Sequence, residues 1–161
     1  MNNSYQDYID FANTLADAAS VTSMQYFRTS IDVDNKSDES PVTIADKNTE
    51  LKLRSMIEKK YPNHGILGEE FDSINSDAEF IWVIDPIDGT RSYIAGHKDF
   101  GNLISLTQNK KPIIGIINCP AHDERWVGVR NQNSTVNQKI VKTSNVTEIE
   151  DAYIFTSGLY F

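Results

Sequence analysis

Two aspartates, Asp85 and Asp88, share the stretch Trp82-Val83-Ile84-Asp85-Pro86-Ile87-Asp88-Gly89-Thr90. Phe80 to Ile84 is apolar, β-branched and aromatic, the pattern of a buried strand. Pro86 fixes φ and is expected to stop that strand. Ile87 can then lend a backbone carbonyl while Asp85 and Asp88 turn toward one point. Two hard carboxylate oxygens and a carbonyl at one strand end suit Mg²⁺. Gly89 lets backbone approach a ligand closely. A helix beginning near Thr90 would face a phosphate with its first N–H groups. The same residues also make an ordinary Asp-Pro/Asp-Gly turn, and for this stretch alone the two readings stand level.

Two upstream blocks bear on the choice. His64-Gly65-Ile66-Leu67 leads into Gly68-Glu69-Glu70, a short apolar strand that ends in an acid and could set a third carboxylate beside the first two. Glu69 and Glu70 are adjacent, so in extended chain they point apart. Further back lies Ser40-Pro41-Val42-Thr43-Ile44-Ala45-Asp46. Thr43 and Asp46 have capping-box spacing, which accounts for Asp46 structurally; an acid in a first helical turn can also point into a cleft.

In order, these blocks resemble the inositol monophosphatase family of Mg²⁺-dependent, lithium-sensitive phosphatases. The longer form, D-P-I-D-G-T-R-S-Y-I-A-G with G-I-L-G-E-E-F before it, is most similar to the histidinol-phosphatase branch. The resemblance runs from about Tyr8 to the C-terminus. It implies hydrolysis of a small phosphate monoester, histidinol phosphate first and inositol phosphate next. It implies that Glu69, Asp85, the Ile87 carbonyl and Asp88 hold Mg²⁺, or Mn²⁺. Asp46 would hydrogen-bond Thr90, the two polarising the attacking water, and the N–H groups of Gly89 and Thr90 would hold the phosphate. Lys36 fits the place of a lysine on a mobile loop near the family's active site. The family's second half carries a W-D motif whose aspartate is another metal ligand, but valine follows both Trp82 and Trp126. The resemblance therefore covers an N-terminal half, and very low turnover is expected of these residues alone. A second reading is a metal-binding or subunit-interaction module without turnover.

Composition narrows the partners. The chain has 161 residues, 39% hydrophobic and 24% charged, enough for one domain with a core. A net charge of −8 and a pI of about 4.8 argue against nucleic acid or an anionic membrane. An anionic metabolite would need a local cation to approach this field. Cys119 is the single cysteine, so no intrachain disulfide forms and a reducing, cytoplasmic setting is expected. No basic, apolar leader opens the sequence and no apolar run is long enough to span a membrane. His64, His97 and His122 lack zinc-ligand spacing and read as surface residues.

The elements that would position these residues follow from periodicity. Tyr8, Phe11, Ala12, Leu15, Ala16, Ala19 and Tyr26 predict an amphipathic helix over about 4–28, with Ser4 and Asp7 as a capping box. Leu53, Met56 and Ile57 mark a second helix from Thr43 to Tyr61. A short helix is expected after Thr90. Strands are predicted over 101–108 and 112–118 around an Asn109-Lys110-Lys111 turn, then 125–129, 139–142 and 152–156. Residues 131–138 read as a polar turn and 143–151 as linker. The fold class is α+β, two long helices on a mostly antiparallel sheet. The resemblance makes it the N-terminal half of an α/β/α/β/α sandwich, with residues 1–143 as one domain and 144–161 as linker and first strand of another. An exposed 152–156 strand, with Leu159, Tyr160 and Phe161, predicts self-association or pairing with a C-terminal half.

Overall fold

The computed structural model describes residues 5–31, 33–35 and 41–153, with backbone only at Asn35 and Pro41. Lys36 and residues 154–161 lie outside it, so the lysine reading and most of the predicted last strand do too. Ala152 and Tyr153 belong to no strand.

Two long helices form where the apolar stripes predict them. Helix α1 spans Gln6–Tyr26 and buries Phe11, Ala12, Leu15, Ala16 and Ala19. It begins at Tyr5 with no side-chain cap; the predicted partner Ser4 lies outside the described residues. Helix α2 spans Ile44–Lys60 behind a complete capping box of Thr43 and Asp46. A short ribbon of β1 (Val33–Asn35) and β2 (Pro41–Thr43) precedes it.

The sheet has seven strands in sequence order: β3 (Gly65–Leu67), β4 (Phe80–Asp88), β5 (Gly101–Gln108), β6 (Lys111–Cys119), β7 (Glu124–Val129), β8 (Thr135–Val136) and β9 (Lys139–Ile140). All neighbours are antiparallel except β3 and β4, which are parallel. The β5–β6 turn is Asn109-Lys110, both at positive φ, the backbone of a tight hairpin. The predicted polar turn at 131–138 instead contains β8, and Asn137-Gln138, again at positive φ, turns the chain into β9.

Strand alternation gives the sheet two different faces. Trp82, Ile84, Ile104, Leu106, Ile114 and Ile116 are buried against α1 and α2. The opposite face carries the cross-strand row Asp85, Leu103, Ile117 and Trp126, and Ile117 and Trp126 on it are exposed. Burial of these large side chains stabilises the fold by about 1.5–3 kcal/mol each.

Two expectations are corrected here. Pro86 does not end β4; the ladder pairs Asp85 with Leu103, skips, and resumes at Asp88 with Gly101. Proline offers no N–H to a ladder, so the strand bulges around it and continues. His64 is not a surface residue. It stacks on Tyr61 (ring centroids 4.6 Å apart) and Phe80 (5.1 Å) and accepts the Trp82 indole N–H at Nδ1 (3.2 Å). Burial accordingly pulls its pKa below the ordinary value. Among the described residues, no helix is long and apolar enough to cross a membrane.

Candidate active site

The parallel pairing of β3 and β4 builds the site. Parallel strands end on the same side, and their register sets Leu67 beside Val83. Two further residues along each chain bring Glu69 alongside Asp85. The side chains of Glu69 and Asp85 share a hydrogen bond, and Asp88 is near enough for its charge to be felt at Asp85. The bulge at Pro86-Ile87 turns the end of β4 so that Asp88 is exposed while the Ile87 side chain is buried.

The electrostatics of Asp85 are unusual for a carboxyl group. Its pKa is pushed up from 3.8 to about 8. Burial is the largest cause, followed by the charge of Glu69, the hydrogen bond to Glu69 and the charge of Asp88; a backbone hydrogen bond at Ile87 pulls the other way. Asp85 Oδ1 is buried and has no hydrogen-bond partner. At neutral pH the acid pair thus retains a proton, and one oxygen has nothing to bond. A hard divalent cation answers both features, by replacing the proton and ligating the orphaned oxygen. The donor set of Glu69, Asp85, Asp88 and the Ile87 carbonyl fits such an ion in kind. Among the described residues no three His, Cys, Asp or Glu side chains stand in an arrangement that would by itself hold a metal ion.

Asp46 and Thr90 approach this cluster from another element. Asp46 is 2% exposed and its Oδ2 accepts from the Thr43 N–H (2.8 Å) and the Thr43 hydroxyl (2.6 Å). That is the capping role. The Thr90 hydroxyl lies 3.5 Å from Asp46 Oδ1 and donates at 3.0 Å to the Ile87 carbonyl. The Asp46–Thr90 contact is therefore within reach but at its outer limit. Thr90 opens the short helix α3 (Thr90–Ile94), and Gly89 before it has φ +86°, where a Cβ would come within 2.9 Å of the Asp99 carbonyl. Only glycine suits that position.

These features match a known family. A profile of the inositol monophosphatase family matches residues 4–160. The chain belongs to the inositol monophosphatase family. Within that family it is 40% identical over 148 residues to a chloroplastic bifunctional phosphatase of Arabidopsis thaliana, covering 91% of this chain and 43% of that protein. It is 39% identical over 154 residues to a histidinol-phosphatase of Chlorobaculum parvum, covering 94% and 60%. An inositol monophosphatase from Zymomonas mobilis superposes with a TM-score of 0.77 at 41% identity, covering 91% of this chain and 56% of that one. This family member spans about half the length of the relatives it matches. The comparisons bear out the α+β fold of the family.

Sequence reasoning missed the residues behind the site of this inositol monophosphatase-family chain. Asn102, fully buried, donates to the Pro86 carbonyl (2.7 Å) inside the Asp85–Asp88 bulge. Glu50, also fully buried, accepts the backbone N–H groups of Glu69 (3.0 Å) and Glu70 (2.7 Å). The only signal for either was a polar residue at a position the periodicity reserves for the core.

Proposed function

We propose that this chain is the metal- and phosphate-binding part of a Mg²⁺-dependent phosphoric monoester hydrolase whose substrate is histidinol phosphate, in histidine biosynthesis. The observation that carries the metal-dependent reading is the meeting of Glu69 and Asp85 at parallel strand ends, with Asp85 Oδ1 buried and unpartnered. The relatives named histidinol-phosphatase support the substrate.

Glu69, Asp85, the Ile87 carbonyl and Asp88 would hold the divalent ion, Mg²⁺ or Mn²⁺. When bound, the ion supplies charge to the phosphoryl oxygens and lowers the pKa of water. The protein's own part is positional. Once the Ile87 carbonyl is committed elsewhere, the Thr90 hydroxyl has Asp46 Oδ1 as its other acceptor. Thr90 then turns a lone pair outward to accept a hydrogen bond from the attacking water, and as the water's proton moves to Thr90 the Thr90 hydroxyl proton passes to the Asp46 carboxylate. The N–H groups of Gly89 and Thr90, where the chain turns into α3, are the proposed phosphate contacts. The partner reading is a small phosphorylated metabolite, together with a second copy or a complementary half of the fold.

Inositol 1-phosphate is the second reading, favoured by the 41% identity to the Zymomonas mobilis inositol monophosphatase. Phosphate release from both esters by a full-length version of the protein, each with and without Mg²⁺, tests the proposal. Mg²⁺-dependent release with the higher kcat/KM for histidinol phosphate is expected. The reverse preference would move the chain to inositol 1-phosphate, and release unaffected by Mg²⁺ would remove the metal-dependent reading.

A further inference from the structure

A buried ion pair lies beneath the acid loop, outside the chemistry described above. Glu50 and Arg54 are one turn apart on α2, 0% and 6% exposed. Glu50 Oε1 accepts from Arg54 Nε at 2.7 Å. Its other oxygen, Oε2, accepts both the Glu69 and Glu70 N–H groups. Arg54 Nη2 donates to the Phe71 carbonyl at 2.8 Å, and its guanidinium lies over the Phe71 ring. Three consecutive loop residues, Glu69, Glu70 and Phe71, are thus pinned by two side chains of one helix. Gly68 closes the arrangement, because a Cβ there would collide with the Glu50 carboxylate.

We propose that Glu50 is a positioning residue for the divalent-ion site: with Arg54 it fixes the backbone of Glu69 so that the Glu69 side chain meets Asp85, and it thereby sets the affinity for the ion. The inference rests on Glu69 being a ligand. Its physical basis is that a buried ion pair stabilises a fold poorly compared with apolar side chains of the same volume. Packing alone gives no reason for a carboxylate and a guanidinium here. A loop that must present the Glu69 carboxyl at one fixed place beside Asp85 gives one. The loop backbone has to be held there, and two charge-assisted hydrogen bonds from adjacent amides to Glu50 hold it. The same helix carries Asp46 one turn before Glu50, so α2 supports both Asp46 and the Glu69 loop.

The test uses Mg²⁺ itself. Titration calorimetry on the unaltered chain and on Glu50→Gln is expected to show a 10–100-fold loss of affinity in the variant, the range for groups that orient metal ligands. Far-ultraviolet circular dichroism should remain native. Amide hydrogen exchange at Glu69 and Glu70 should be slow in the unaltered chain without metal and faster in Glu50→Gln. A folded Glu50→Gln that binds Mg²⁺ within twofold of the unaltered chain overturns the proposal. So do Glu69 and Glu70 amides that exchange at open-loop rates in the unaltered chain, a result that needs no variant. Failure of the unaltered chain to bind Mg²⁺ would instead remove the metal-site reading itself.

Discussion

Replacing Asp85 by Asn should move stability and metal binding in opposite directions. In the metal-free protein above pH 8, Asp85 is an ionised, partly buried group beside Glu69 and Asp88. The rise of its pKa from 3.8 to about 8 sets a ceiling of roughly 6 kcal/mol on that unfavourable energy. Solvent reaches part of the side chain, and screening reduces the ceiling to about 2 kcal/mol. The sign follows from linkage. A carboxyl with a raised pKa favours the fold while protonated, so its contribution is complete below the unfolded value and lost as pH rises through about 8. Asn has nothing to ionise and can donate to Glu69. Asp85→Asn is therefore expected to raise the metal-free Tm at pH 9 by about 4–8 °C, to leave it nearly unchanged at pH 5, and to weaken Mg²⁺ binding at least tenfold. Scanning calorimetry at the two pH values and Mg²⁺ titration measure all three. A variant less stable than the unaltered chain at pH 9 would refute the electrostatic account. Unchanged Mg²⁺ affinity would refute the place of Asp85 in the site.

Two other perturbations test the frame around the site. Asn102→Ala leaves the Pro86 carbonyl and the Asn118 amide buried without their partner, so a loss of about 2–4 kcal/mol in chemical denaturation is expected; a loss under 0.5 kcal/mol would show that water replaces the side chain. The lowered pKa of His64 makes folding favour the neutral ring, so stability should be complete above pH 6.5 and fall as pH drops toward 5. His64→Gln should flatten that dependence in denaturation midpoints measured from pH 8 to 5, and an equally steep curve would place its origin in another group.

The Asp85–Asp88 stretch alone read equally as a turn; its acids became legible as a site only with the Glu69 and Asp46 blocks upstream of it. The pairing of β3 with β4 was not legible, since three residues, Gly65–Leu67, carry no signal of which neighbour they join or in which direction. Yet that pairing is what brings Glu69 to Asp85. Pro86 read as a terminator because proline cannot donate to a ladder; the outcome turned on Asn102, sixteen residues later, accepting the role of partner to the Pro86 carbonyl. His64 read as a surface residue because no ligand spacing marks it, but Tyr61, Phe80 and Trp82 converge on it only after folding. Glu50 and Arg54 have the spacing of a surface i, i+4 pair, and nothing local distinguishes that from a buried one.

Helix α1, which its pattern marks as packing alone, also reaches the bulge through polar contacts. Asp17 accepts from Arg125 (2.7 Å), Arg125 donates to Asn118 (2.9 Å), Asn118 donates to Asn102 (2.8 Å), and Asn102 donates to the Pro86 carbonyl. Ser20 of α1 accepts from Asn118, and the Ser23 carbonyl accepts the Tyr93 hydroxyl of α3 at 2.6 Å. The Asp17–Arg125 link is at the surface, but the inner links through Asn118 and Asn102 are buried, where an unpaired partner is penalised more than in water. A bulge is otherwise a soft place in a strand, here with no ladder pair at Pro86 or Ile87. Its geometry here is therefore set from α1 through β7, β6 and β5, while the Glu69 loop is set from α2. The two acids meet because two helices packed on the same sheet face hold the two strand ends separately, and a shift of either helix would part Glu69 from Asp85 without touching either side chain.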